Sequence, residues 1–210
     1  MIMMSAVMMG RRTSNVESRM SFAFWLPFSA ELPLWSSIRL IIFSNMTTDP
    51  STNRPKSMAP TDIYGLSKKV GEEMAILWSS ARQVPVRAAR LFNVYGPNET
   101  SPHLIPEVMY QANRGSDLKL GNLDPKRDYI FVGDIVNGLI TLSTTFGDGV
   151  IFDSYNIGTG HEYSAREIVT LLGEITGRDF GLDSVPERTR KSDRMHLCAD
   201  NSKLRARGWK

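Results

Sequence analysis

From Arg39 onward, apolar and polar positions fall into blocks whose lengths predict alternating strands and helices. Leu40-Ile41-Ile42-Phe43 is a short, unbroken apolar run, the pattern of a strand buried on both faces of a parallel sheet, and it ends at Ser44-Asn45. The stretch from Asp49 to Pro60 is rich in Pro, Ser and Thr and reads as a loop. A helix is predicted from Thr61-Asp62 to about Ala81, with Val70, Met74 and Leu77 at spacings of three and four. That pattern makes Met74 a core-filling residue, and Met109 is read the same way. A strand is predicted over Val84–Phe92, closed by the turn-forming sequence Asn93-Val94-Tyr95-Gly96-Pro97-Asn98.

The second half continues the alternation. Leu104–Ala112 reads as a helix behind Pro102, Leu118–Leu120 and Tyr129–Val132 as short strands, and Asp134 as the cap of a helix running through Leu142. Ser154–Gly158 is another strand, followed by a helix from Ser164, where Ser164 and Glu167 have capping-box spacing. Strand, helix, strand is the repeating unit of an α/β sheet, and no internal repeat interrupts it.

With 210 residues, 41% of them apolar, the chain is long enough to bury a core of one domain or one and a half. The net charge of +3 comes from 25 basic and 22 acidic residues scattered among each other, so nucleic acid is not an expected partner. Cys198 is the single cysteine, which excludes an internal disulfide and offers no metal-ligand spacing. A reducing, cytoplasmic setting is expected. Residues 1–37 form an unplaced leader with a Met-rich start, the pair Arg11-Arg12 and the apolar run Phe22–Phe28. Pro27 and Pro33 break any helix there, and the run is too short to cross a bilayer, so no membrane partner is expected.

The chemistry centres on Tyr64-Gly65-Leu66-Ser67-Lys68, a YxxxK at the start of the first predicted helix. Residues four apart share a helix face, so the Lys68 ammonium is placed near the Tyr64 phenol. A phenol is a poor base at neutral pH, and a fixed neighbouring cation favours its ionised form. Such a pair can take a proton from a sugar hydroxyl as hydride leaves the same carbon. An exposed helix with an incidental Tyr and Lys is the plain alternative.

The motif is followed, in order, by Arg90-Leu91-Phe92-Asn93-Val94-Tyr95-Gly96-Pro97, Leu104-Ile105-Pro106, Gly121–Val132 with Asp134, Arg190-Lys191-Ser192-Asp193, Ala199–Lys203 and Gly208-Trp209-Lys210. From about Arg39 to its end the chain resembles the extended short-chain dehydrogenase/reductases that act on nucleotide sugars, the NAD-dependent epimerases and dehydratases. The resemblance implies an α/β fold with an incomplete Rossmann-like doubly wound sheet and a smaller carboxy-terminal substrate-binding lobe. Residues 38–96 would be the remnant of the NAD-binding domain. Residues 97–210 would be mainly the substrate lobe, with some elements returning to the sheet. It implies NAD as cofactor, a nucleotide-diphosphate sugar as substrate, and a homodimer. Tyr64 would be the acid/base and Lys68 would hold the nicotinamide ribose, with Leu91 and Phe92 beside the nicotinamide. Asn93, His103, Leu104, Arg127, Tyr129, Arg190 and Asp193 would contact the substrate, the two arginines pairing with its diphosphate. The plain alternatives are a surface ion pair for Arg127 with Asp128 and a generally basic surface for Arg190. His161 and His196, without partners in the sequence pattern, receive no role.

Three departures matter. Before Tyr64 the only glycine is Gly10, so no glycine-rich turn can be drawn to receive the cofactor's pyrophosphate. Where the family places a hydroxyl residue at a strand end, this chain has Asn45, leaving Ser44 or Thr47 as substitutes; Thr48-Asp49 is followed by Pro50, not by the glutamate of 4,6-dehydratases. Both ends read as cut relative to the family. The implied reaction is oxidation of a sugar C4 hydroxyl and re-reduction from the other face. The alternatives are a nucleotide-sugar 4,6-dehydratase and an inactive remnant that binds a nucleotide sugar or only a protein partner.

Overall fold

The structure is a computed structural model that describes the backbone of residues 40–44 and, in full, residues 63–188 and 194–210. Its central sheet has three parallel strands in the order β1-β2-β6: β1 is Leu40–Ser44, β2 Val86–Leu91 and β6 Phe152–Ile157. In β2, Val86, Arg87, Ala88 and Ala89 are buried in succession, as expected of a strand covered on both faces. Arg87 is fully buried and its guanidinium is paired, donating to Asp148 at 2.8 Å and to the Val150 carbonyl at 2.9 Å while it stacks on Phe146. The apolar run of β1 and its role as a parallel strand agree with the sequence pattern, and its register places Ser44 beside Arg90.

Helix α1 (Ile63–Arg82) connects β1 to β2 and packs against the sheet through Gly65, Glu72, Ala75 and Ser79. The expected core stripe is not on this face: Val70, Met74 and Leu77 are 43%, 65% and 72% exposed. Met109 is exposed as well. Three small residues and the acid Glu72, not the large apolar residues, form the buried face of the helix.

Asn93–Tyr95, read as a turn, instead forms β3, which pairs in parallel with β5 (Tyr129–Phe131). Helix α3 (Val132–Thr144) begins directly after β5, with Phe131 as its N-cap. Asp134 therefore lies inside the first turn rather than capping it, and its carbonyl accepts the Trp209 indole N–H at 3.2 Å. One core forms here from Ala89, Ile130, Ile135, Leu142, Tyr155, Ile157, Leu204 and Trp209, so the chain's last residues return to the sheet through α5 (Ser202–Arg205).

A second core lies between α2 (Leu104–Ala112), β4 (Asp117–Leu120), α4 (Ala165–Thr176) and β7 (Gly181–Ser184), with β4 and β7 paired in parallel. The capping box predicted from Ser164 and Glu167 is formed: the Ser164 hydroxyl accepts the Glu167 N–H, and the Glu167 carboxylate accepts the Ser164 N–H. Gly177, in the left-handed region at φ 65°, closes α4. No helix among the described residues is long and apolar enough to cross a membrane.

Candidate active site

In a right-handed β-α-β unit the connecting helix starts at the carboxyl ends of the strands, where ligands bind in open α/β sheets. The amino end of α1 holds Tyr64 and Lys68 there, with the Lys68 ammonium 5.1 Å from the centroid of the Tyr64 ring. Tyr64 is 38% exposed. The strand ends on the same side contribute Ser44 from β1 and Leu91 from β2. Phe92, next along, is buried and donates its N–H to the Ile157 carbonyl at 3.2 Å. Glu72 and Arg90 pair through two guanidinium nitrogens and fasten α1 to the end of β2.

Asn93 is exposed at the start of β3 and is the register partner of Tyr129. Between Tyr129 and Arg127 lies Asp128, fully buried, and this is the residue whose importance the sequence pattern underrates. Its Oδ1 accepts the Thr159 N–H at 2.8 Å and the Thr159 hydroxyl at 2.7 Å. Its Oδ2 accepts the Gly160 N–H at 2.8 Å and the Ala199 N–H at 3.1 Å, and its carbonyl accepts the Asn93 N–H at 3.0 Å. The carboxylate thus ties the segment after β6 to the carboxy-terminal stretch, and the Asp128 carbonyl holds the start of β3. Gly158 makes room for it: a Cβ there would meet the Ala199 Cβ at 2.5 Å and Asp128 Oδ2 at 2.9 Å.

The surface pair of Arg127 with Asp128 is therefore overturned. Arg127 points elsewhere and donates to the carbonyls of Lys126 and Arg194, at 2.7 and 2.6 Å. Backbone bonds from Lys126 to Met195 and from Asp128 to Leu197 continue that contact. Arg127 consequently sits against the segment that follows Arg190 and Asp193. Those two residues, like Thr47 and Asn45, lie outside the described residues.

His103 precedes α2 as its N-cap residue, and its Nδ1 contacts Glu99; Leu104, the first helical residue, packs on the second core. His196 also has a carboxylate partner, Glu162, at 2.6 Å. Glu99 stands four residues before His103, whereas Glu162 is thirty-four positions from His196, a separation that sequence spacing does not signal. The Cys198 thiol is pushed up from its ordinary range by burial, with the Asp128 and Glu162 carboxylates adding to the effect. No cluster able to hold a metal occurs among the described residues. A groove of about 590 Å³ lies between α4 and β7, away from the Tyr64 end of α1, and none of the expected site residues lines it.

Sequence comparison decides the family: the model of the NAD dependent epimerase/dehydratase family matches residues 42–158, more than half of the chain. The chain belongs to this family. Among curated relatives, it is 26% identical over 158 residues to GDP-6-deoxy-D-mannose reductase of Pseudomonas aeruginosa, covering 72% of this chain and 51% of that protein. It is 28% identical over 159 residues to a trifunctional UDP-glucose 4,6-dehydratase, 3,5-epimerase and reductase of Arabidopsis thaliana, covering 72% of this chain and 23% of that one. The chain thus spans about half the length, or less, of these relatives.

The UDP-glucuronic acid 4-epimerase of Bacillus cereus, solved with UDP-glucuronic acid and NAD, superposes with a TM-score of 0.69 at 20% identity, covering 82% of this chain and 56% of that one. Members of the family similar to this chain are therefore nucleotide-sugar epimerases, dehydratases and reductases, and its α/β fold is the Rossmann-like fold of epimerases solved with NAD. The residues present fit the ribose and nicotinamide end of that cofactor, since Tyr64 and Lys68 share the exposed face at the strand ends. The sequence ahead of Tyr64 supplies no glycine-rich turn for the pyrophosphate end.

Proposed function

We propose that this chain acts in NAD-linked oxidation of a nucleotide-sugar C4 hydroxyl and its re-reduction from the other face, a C4 epimerisation. The observation that carries this reading is the Lys68 ammonium held over the Tyr64 ring on the exposed start of α1. NAD, when bound, accepts and returns the hydride. Tyr64 Oη takes the proton of the C4 hydroxyl and later gives it back, while Lys68 holds the ribose. Ser44 or Thr47 supplies a hydroxyl to the sugar oxygen, and Leu91 and Phe92 flank the nicotinamide.

On the substrate side, Asn93, Tyr129, His103 and Leu104 line the nucleotide-sugar path, and Arg127, Arg190 and Asp193 complete it. The contact of Arg127 with Arg194 supports placing it beside the segment that carries the last two. Residues 38–96 form the cofactor side in this reading, and 97–210 mainly the substrate side. A homodimer belongs to the reading too, because Ile63, Leu66, Val70, Met74 and Leu77 leave one face of α1 apolar and exposed.

A second reading, reduction of a keto-sugar or 4,6-dehydration, draws on the similarity to the Pseudomonas reductase and the Arabidopsis dehydratase. Incubating the folded chain with NAD and UDP-glucose, UDP-glucuronic acid or GDP-mannose, followed by chromatography of the sugars, separates the readings. The C4 epimer is expected, with a rate reduced about 10²–10⁴-fold by Tyr64→Phe. A 4-keto-6-deoxy product would favour 4,6-dehydration, and no conversion of any of the three sugars would contradict both epimerisation and dehydration; the reductase reading is tested by oxidation of NADPH in the presence of a 4-keto-6-deoxy nucleotide sugar.

A further inference from the structure

The sheet formed by β4 and β7 has two edges, which differ among the described residues. Successive residues of a strand turn their backbone groups to opposite edges. On β4, Lys119 faces away from β7, and the Gln111 amide covers it as a neighbouring strand would: Oε1 accepts the Lys119 N–H at 2.7 Å and Nε2 donates to the Lys119 carbonyl at 2.9 Å. On β7, the Gly181 and Val185 N–H groups donate to the Ser116 and Leu120 carbonyls, so the backbone of Leu182 and Ser184 faces outward. Among the described residues no further strand pairs with that side of β7. The groove of about 590 Å³ opens beside it, with Phe180 and Leu182 on one wall and Thr170 and Gly173 of α4 on the other.

Charge is ordered along this groove. The Arg166 N–H meets the Leu123 carbonyl beyond the end of β4, whereas Arg178, past the other end of α4, donates to the Ala112 and Gly115 carbonyls ahead of β4. Helix α4 and β7 therefore run in opposite directions: Arg166 stands at the Ser184 end of the open edge, Glu174 and Asp179 at the Gly181 end, and all three line the groove. From Arg166 to Glu174 the helix rises ~12 Å, which a strand spans in about four residues. The pair of Arg166 with Asp124, at 3.6 Å between two exposed side chains, is weak enough to exchange for another carboxylate. We propose that the outer edge of β7 is a docking site for an extended peptide, added as a third strand. Its apolar side chain enters the groove, an acid on one flank meets Arg166, and a base on the other flank meets Glu174 and Asp179. Main-chain hydrogen bonds to an open edge supply affinity in such a complex, and the pockets for alternate side chains supply specificity.

The test is fluorescence anisotropy of a dye-labelled synthetic peptide, Thr-Glu-Thr-Val-Thr-Lys-Thr with both ends capped, titrated with the full chain; a second peptide has Glu and Lys exchanged. Saturable binding is expected, with the two charge orders differing at least about tenfold in affinity, the preferred order giving the sense of the added strand. N-methylation of the peptide leaves the protein untouched and separates main-chain pairing from side-chain contact. Methylating one alternate set of residues should weaken binding at least about tenfold, and methylating the other set should leave it near the parent value. Thr170→Trp, at an exposed position on the groove wall, should fill the groove and weaken binding by a similar factor without changing the circular dichroism spectrum. Absence of saturable binding by both peptides, equal affinity for the two charge orders, or equal effects of the two methylation sets would each overturn the proposal. A chain that binds neither peptide and forms a dimer that Thr170→Trp dissociates would make a second copy the occupant, which also overturns it.

Discussion

Asp128→Asn should cost the fold a large part of its margin, although it changes one atom of one side chain. The carboxylate is fully buried and accepts four hydrogen bonds, two on each oxygen. An amide that keeps its oxygen toward Thr159 turns an N–H₂ toward the N–H groups of Gly160 and Ala199, so two acceptances are lost and donors face donors. Hydrogen bonds to a charged group contribute about 1.5–3 kcal/mol each, so the expected loss from two is about 3–6 kcal/mol, set against a usual domain stability of about 5–15 kcal/mol. The assay is urea unfolding followed by circular dichroism, comparing midpoints at unchanged slope, with Asp134→Asn as a control near the parent value. A loss below about 1 kcal/mol for Asp128→Asn would refute the role given to this carboxylate, since that is less than a single ordinary hydrogen bond.

Other expectations follow from the same structure. Gly158→Ala forces a Cβ to within 2.5 Å of the Ala199 Cβ, and overpacking of this kind should lower stability by about 1–3 kcal/mol in the same unfolding assay. Ser164→Ala removes the α4 capping box and should cost about 1 kcal/mol. The Glu167 carboxyl is held down from 4.5 to about 2, first by its hydrogen bond to Lys126 and then by those to Ser164. Because its folded value lies below the unfolded one, its contribution is complete above pH 4.5 and disappears as pH falls toward 2; acid unfolding of Glu167→Gln should lack this component, and an identical acid profile would count against the link. Met74→Lys with Leu77→Lys should leave the unfolding midpoint within about 0.5 kcal/mol, as for exposed positions, while sedimentation tests the proposed homodimer through its loss in this variant; a large destabilisation would restore these side chains to a core.

Legibility in the sequence followed the strength of the local signal. β1, β2, α2, β4 and α4 announce themselves through apolar runs, periodicity or a capping box, and the structure has them within a residue or two. α1 is legible as a helix but its buried face is not, because Val70, Met74 and Leu77 carry the apolar period while the packing face consists of Gly65, Ala75, Ser79 and the acid Glu72, none of which signals a core. β3 was masked by turn-forming residues whose strand geometry is imposed by pairing with β5, a partner more than thirty positions away. β7 and α5 are too short to carry a period, and they exist through tertiary contact. In the site, Tyr64 and Lys68 were readable because helix spacing alone brings them together. Asp128 was not, because its four donors come from residues 159, 160 and 199, which no spacing rule connects. Glu162, the partner of His196, is hidden for the same reason.

If Tyr64 and Lys68 hold the nicotinamide end of a dinucleotide, calorimetric titration of the folded chain with NAD should show saturable binding. That binding should weaken at least about tenfold in Lys68→Met, a loss of ~1.4 kcal/mol, with the unfolding midpoint unchanged. Absence of saturable binding in the folded parent chain, or equal affinity in parent and Lys68→Met, would contradict this reading.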